Sequence, residues 1–278
     1  MPKRKTLQED KAPESDSDVS IVDVDFDFCD FRPQTDYIAI KRLLQQLFHT
    51  DASLFHLGAI ADLVLSQDDV GSTVKTDGVD SDPLAFLAVI NLHEHNNHPE
   101  LGVLRDYLLS KLSANPDFQK TVSTLLESDD SGHHLGLVLG ERVYNMPPQV
   151  MPPSYKMLQD EIQWAIEDNK PYRFSHLLIL SRVFKLDDSE EESIPPSKKR
   201  KTAQTSSTRS AGVVHSFHPE DSCIQKVALY SLDFTFSHQE PRTKESFGTD
   251  IGGRIMLIAG DKLGEVVRDM EAKFPPPS

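Results

Sequence analysis

Cysteine is nearly absent from this chain of 278 residues, which carries only Cys29 and Cys223. One pair makes no disulfide framework, and a thiolate zinc finger needs more ligands, so both small cross-linked folds and zinc modules are excluded. A cytosolic or nuclear redox setting is expected. Long apolar runs are missing as well. No stretch reaches the roughly 18 continuous apolar residues of a membrane span, and the first residues lack the apolar core of a secretory signal. Basic residues are in deficit: 29 Lys and Arg face 44 Asp and Glu, a formal net charge of −15. Proteins that hold nucleic acid gain affinity by displacing phosphate counterions with Lys and Arg. Direct nucleic-acid binding is therefore not expected, whereas a surface of this sign attracts and shields a basic protein.

The signatures of common chemistries are missing too. There is no Walker-type phosphate loop and no dinucleotide fingerprint, and Gly252-Gly253 has the spacing of neither. No serine sits in a nucleophile elbow. Cys29 follows an acidic stretch that disfavours its thiolate. His93, His95 and His98 cluster before Pro99, with His133-His134 further on. Their spacing is not that of two histidines one helical turn apart around a Glu, so a polar loop is expected rather than a metal site. Carboxylates abound but fall on alternating faces or in acidic runs, where solvation explains them. The expectation is a protein that is not an enzyme and holds no cofactor and no metal.

Against this background one basic run stands out. Lys198-Lys199-Arg200-Lys201 follows Pro195-Pro196-Ser197 inside an acidic and polar stretch. Four adjacent like charges repel one another and remain solvated, which suits a nuclear localisation signal read by an import receptor. Lys3-Arg4-Lys5 is a second such cluster. Residues 1–19 and 187–211 are too poor in apolar groups to offset chain entropy and are expected to be disordered. The remainder, 20–278, is expected to form one domain with 187–211 as an insertion.

Periodicity gives the elements. Between Val22 and Phe28 apolar and acidic residues alternate, which predicts a half-buried strand. Val22, Val24, Phe26 and Phe28 would face inward. Asp23, Asp25 and Asp27 would line the other face, either as a solvated edge or as contacts for a basic partner. Ile40 to Phe48 has helical spacing after Asp36, and the type of the apolar stretch 57–65 is left open. Gly71, Asp77 and Gly78 mark turns. Leu84–Ile90 fits a buried strand. Helical patterns follow at 101–112 and 118–126. The apolar run from His134 stops at Pro147-Pro148, and Glu141 and Arg142 interrupt it, either as a buried ion pair at a sheet end or as part of a binding groove. Pro152-Pro153 opens a helix striped by Tyr155, Leu158, Ile162, Ala165 and Ile166. Strands are expected at 174–186, 213–214, 227–236 and 254–259, and a closing helix at 263–274. The order predicts an α/β (mixed α+β) domain around one mixed sheet flanked by helices.

The acidic strand leading to Phe28 and Phe31, the helix Ile40 to Phe48, and above all the segment His134 to Gln149 followed by Pro152-Pro153-Ser154-Tyr155-Lys156-Met157-Leu158 resemble the BCCIP family, and within it the fungal BCP branch. Glu141, Arg142, Asn145, Met146 and Pro147 carry the specific part of the likeness, which is good over about 20–186 and looser beyond. The resemblance implies a fold similar to the GNAT acetyltransferases without their activity. It implies a nuclear protein that shuttles to the cytoplasm, a dedicated chaperone for a basic ribosomal protein of the large subunit, and a helper in nuclear export and large-subunit biogenesis through transport receptors. Asp23, Asp25 and Asp27, with Glu190, Glu191 and Glu192, are the candidate contacts for the basic partner. Two other readings remain open: a cell-cycle or DNA-repair scaffold, as animal relatives suggest, and a degenerate acetyl-CoA-dependent acyltransferase.

Overall fold

The computed structural model describes residues 24–67, 70–128, 133–185, 213–238 and 250–276. Its centre is an eight-stranded mixed sheet in the order β1-β2-β3-β4-β5-β8-β7, with β6 paired to the end of β5. The strands are β1 (Asp27–Asp30), β2 (Gly71–Lys75), β3 (Ala85–Asn91), β4 (His134–Arg142), β5 (Phe174–Lys185), β6 (Val214–Ser216), β7 (Tyr230–Thr235) and β8 (Asp250–Ala259). Neighbours are antiparallel except β4 and β5, which run parallel. The helices are α1 (Pro33–Phe48), α2 (Leu57–Leu65), α3 (Pro99–Leu112), α4 (Pro116–Glu127), α5 (Met151–Glu167), α6 (Asp221–Val227) and α7 (Leu263–Lys273). The mixed α/β class expected from the sequence is the one observed.

Strand periodicity sorts the core into two layers. Phe86, Ala88 and Ile90 of β3, Leu135, Leu137 and Leu139 of β4, Leu178 and Leu180 of β5, and Ile255 and Leu257 of β8 pack against the apolar stripes of α1 to α4. The residues between them, Leu87, Val89, Val138, Leu177, Ile179, Met256 and Ile258, pack against α5, α6 and α7. Successive side chains of a strand point to opposite faces. Both faces of these central strands are covered, which is why they read as unbroken apolar runs rather than as alternation.

Prolines and a carboxylate start the helices. Pro33, Pro99 and Pro116 each open one, where a missing N–H costs nothing. Asn115 caps α4 by accepting from the Phe118 amide at 3.2 Å. In α1, Asp36 reaches back to accept from the Arg32 amide at 2.8 Å. Its other oxygen receives the Lys75 ammonium at 2.7 Å, and both side chains are fully buried. Lys75 also donates to the Val79 carbonyl at 2.7 Å. The pair therefore joins the start of α1, strand β2 and the β2–β3 loop.

Several expectations need correction. The first strand is shorter than the alternation suggested: it spans Asp27–Asp30, and Val24 is exposed ahead of it. Phe26 and Phe28 are half-buried as expected, while Val22 and Asp23 lie outside the described residues. Gly71 begins a strand instead of marking only a turn. Its φ of +124° and the Phe31 ring 2.6 Å from where a Cβ would stand both require glycine. The open stretch 57–65 is a helix. Val227 ends a short helix rather than beginning the next strand. Gly252-Gly253 sits mid-strand in β8 with the Phe234 ring laid across Gly253, so the pair serves packing.

Removing one partner of a buried ion pair leaves an uncompensated charge. Lys75→Met keeps the volume and removes only the charge. Urea unfolding should show it losing about 3–5 kcal/mol of stability, and adding Asp36→Asn should recover part of that loss. Full stability in Lys75→Met would refute the structural role of the pair.

Candidate binding surface

The parallel pair β4 and β5 extends only from His134 to Leu139 against Phe174 to Leu180, with a register shift between His134 and Leu135. Beyond that point Gly140, Glu141 and Arg142 continue to pair with β3, whereas Ser181 to Lys185 stay with β8. The two strands splay apart, and β6 takes up the freed edge of β5 from Val183 to Lys185. Open α/β sheets take their ligands outside the carboxyl ends of such strands.

Here side chains fill that wedge. Glu141 is buried and receives Arg182 Nε at 2.5 Å, with His218 Nε2 at 3.1 Å from its other oxygen. Arg142 donates to Glu220. Asp221, at the start of α6, accepts from Ser181 Oγ at 2.7 Å. The Arg182 guanidinium lies 4.3 Å above the Phe217 ring. A cavity of about 20 Å³ remains, room for roughly one water. Burial alone would raise the Glu141 carboxyl, yet His218 and Arg182 hold it down to about 2. Burial pulls the His218 imidazole down, but Glu141, Asp221 and Glu220 outweigh this and raise it. Asp221 is pushed up to about 6 by burial, with Glu220 adding to the effect and His218 opposing it.

The residues from the wedge to α5 divide by exposure. Glu141 and Arg142 are held inside the ion cluster. Met146 is buried with Val74, Ala85 and Val150, and Phe26, Phe28, Leu84 and Val143 pack around them. Pro147 is half-buried before a turn of 3-10 helix at Pro148–Val150. Tyr144, 82% exposed, and Asn145 face solvent.

The same small core ties this turn to the sheet edge. Among the described residues, strand β1 has β2 as its single partner. Asp25, Asp27 and Asp30 are exposed along it, and the β2–β3 loop adds exposed Asp77, Asp80 and Asp82. Asp80 pairs with Arg32 at 2.8 Å. Lys75, opposite Asp27 in register, points inward to Asp36 and leaves the stripe uncompensated. Val24 and Val79 are exposed among these carboxylates. The structure thus brings Asp25 and Asp27 onto one acidic face close to the 141–149 segment. Asp23, Glu190, Glu191, Glu192 and the tetrad Lys198 to Lys201 lie outside the described residues.

Sequence reasoning missed two parts of this arrangement. Asp77, Asp80 and Asp82 were legible as an acidic turn, but nothing local places that turn beside β1. His218, Glu220 and Asp221 meet Glu141 across more than 70 residues of chain, as the 78-residue separation of Arg142 and Glu220 shows, and no spacing rule reaches that far.

Comparison with known proteins gives a consistent picture. The BCCIP family model matches residues 21–224. "Protein bcp1" of Aspergillus fumigatus is 40% identical over 274 residues, covering 95% of this chain and 91% of the relative. "Protein bcp1" of Schizosaccharomyces pombe is 40% identical, covering 90% and 89%. The crystal structure of BCP1 from Saccharomyces cerevisiae superposes with a TM-score of 0.64 at 24% identity, covering 94% of this chain and 93% of that one. That likeness supports the fold.

The wedge has a pH signature. The folded pKa of Asp221, about 6, exceeds its ordinary 3.8. A raised carboxyl adds stability below the unfolded value and loses it as pH rises through the folded one. Asp221→Asn imitates the protonated form throughout. Its stability relative to the parent, measured by urea unfolding, should therefore rise by about 2–3 kcal/mol between pH 4 and pH 7. A pH-independent difference would mean that Asp221 does not titrate in this range.

Proposed function

The chain belongs to the BCCIP family, and from that premise we propose that it is a non-enzymatic chaperone and adaptor for a basic ribosomal protein of the large subunit. It works in the nucleus, shuttles to the cytoplasm with the help of import and export receptors, and serves the biogenesis and export of the large ribosomal subunit. The observation that carries this reading is the acidic face of Asp25, Asp27, Asp77 and Asp82, which form no ion pair among the described residues. Uncompensated charge of one sign speeds encounter with the opposite sign and rejects wrong partners. The exposed Val24, Val79 and Tyr144 beside it supply the apolar contact that specific affinity requires. The tetrad Lys198 to Lys201 is the import signal in this scheme.

The wedge argues in the same direction. A nucleotide cofactor would need open space at the strand ends and free N–H groups at the following helix N-terminus. The space left is about 20 Å³. Helix α5 opens with Pro152 and Pro153, neither of which has an N–H to offer. Ser154 Oγ is turned back onto the Val150 carbonyl at 3.0 Å. These features favour a binding protein over an acyltransferase.

Tagged protein isolated from its own cells at moderate salt, with nuclease present, should carry one basic ribosomal protein of the large subunit in stoichiometric amount. The variant with Asp25, Asp27, Asp77 and Asp82 all changed to Lys alters exposed side chains only and should fold normally. Its affinity for that protein should fall by an order of magnitude or more, and the parent's affinity should weaken as salt rises. Unchanged affinity in the variant would move the contact away from this edge. Co-purification of cell-cycle proteins alone would favour a scaffold.

A further inference from the structure

The single tryptophan of the chain, Trp164, stands in the last turn of α5 and is 63% exposed. It belongs to neither core layer, nor to the small core at the sheet edge. Packing therefore does not account for it.

Helix geometry fixes its surroundings. Residues three and four positions apart are neighbours on a helix surface. For Trp164 these are Asp160, Glu161, Glu167 and Asp168, so all four neighbours are carboxylates. The one lysine of α5, Lys156, pairs with Asp160, and Gln163 donates to Glu167 at 2.9 Å. No basic residue lies in the last turn, where the carbonyl end of the helix dipole favours a cation. Pro153, exposed, and Met157, half-buried, lie within about 20° of Trp164 around the helix axis and continue its stripe toward the start of α5.

The sheet supplies the other wall. Glu161 is buried and accepts from the Gly71 amide at 2.8 Å, which turns this flank of α5 toward β2. Asp30 of β1 is exposed and stands opposite Ser72 in register. Strand alternation sets it on the other face of the sheet from Asp27. Burial raises the Glu161 carboxyl, the Gly71 amide opposes this, and Asp30 and Asp160 raise it further. Two more carboxylates thus act on Glu161, one from the strand and one from the helix.

We propose that this flank of α5 is a docking surface for an arginine of the basic partner, seated on the Trp164 indole between Asp160 and Asp168. The partner's class is the one assigned to the acidic edge, so the proposal rests on the chaperone reading. An indole face attracts a cation, and tryptophan and arginine are both enriched among binding hot spots. Guanidinium suits the site better than ammonium, because it is planar, stacks on a ring and keeps its donors for carboxylates. An anionic lipid surface, or a second copy with the same net charge of −15, meets repulsion here.

Because Trp164 is the only tryptophan, its emission reports this site in the intact protein. Titration with an acetylated hexa-arginine amide should change that emission saturably, and hexalysine should bind about threefold more weakly. The double variant Asp160→Asn with Asp168→Asn should fold and bind the arginine peptide about tenfold more weakly. Trp164→Ala should lower affinity for the co-purifying ribosomal protein by a similar factor. No change in emission, hexalysine binding as tightly as hexa-arginine, or undiminished binding in the double variant would each overturn the proposal. Ribosomal protein that binds Trp164→Ala as tightly as the parent would overturn this surface and leave the chaperone reading standing. Arginine peptide bound at Trp164, with no ribosomal protein co-purifying, would keep the surface and overturn the chaperone reading.

Discussion

The contact on which the rest of this architecture depends is the one between Glu141 and Arg182 across the splayed strands. Where parallel strands part, backbone groups and half the next layer of side chains lose their neighbours. This chain closes the opening with charge. Four carboxylates, the buried Glu141, Glu220 and Asp221 and the exposed Asp233, face three guanidiniums, Arg142, Arg182 and Arg254, together with His218. The sum is zero with a single proton beyond those on the arginines. That proton satisfies the balance on His218 with Asp221 ionised, or on Asp221 with His218 neutral. A buried cluster of this kind adds little net stability over an apolar filling, since desolvation offsets most of the attraction. Its consequence is specificity: an apolar plug could slide along the wedge, whereas each guanidinium here has one carboxylate in reach.

The same strand that begins the wedge links two surfaces of opposite character. Strand β4 runs from His134 to Arg142, nine residues, which is about 30 Å of extended chain. At its carboxyl end lie the acidic edge and the exposed Tyr144. At its amino end lies a pocket that no carboxylate among the described residues lines. A net charge of −15 is therefore an average over a surface that is strongly uneven. At physiological salt the Debye length is about 8 Å, so ends about 30 Å apart act nearly independently on whatever approaches them.

The central strands and the long helices were legible because their residues obey one period. Leu84 to Ile90 and Leu135 to Leu139 are apolar throughout because both faces of the sheet are covered, and the stripes of α1 and α5 each face one layer. Strand β2 was invisible for the opposite reason. All five residues of Gly71–Lys75 are buried, yet three of them are Ser72, Thr73 and Lys75. Partners far off in sequence make that tolerable: Asp36 for Lys75, and the Cys29 carbonyl for Thr73. Helix α6 spans only seven residues, two turns, too short for a period to register. The acidic edge was half legible. The alternation in Asp25 and Asp27 declared a solvent-facing side, but its union with the Asp77 to Asp82 loop is a fact of sheet order alone.

The placement of the long insertion follows from the wedge. Strands β5 and β6 pair antiparallel, with Lys185 opposite Val214 and Val183 opposite Ser216. The chain therefore leaves the sheet and returns to it at adjacent points. For a loop whose ends already meet, each doubling in length costs only about 0.6 kcal/mol, so the fold is nearly indifferent to what lies between. Phe184 packs on Phe217 at 4.9 Å and on His215 at 5.3 Å, and Arg182 covers Phe217 in turn. These contacts, with the ion cluster behind them, hold the two ends together. The acidic edge lies on the far side of β4, beyond β3.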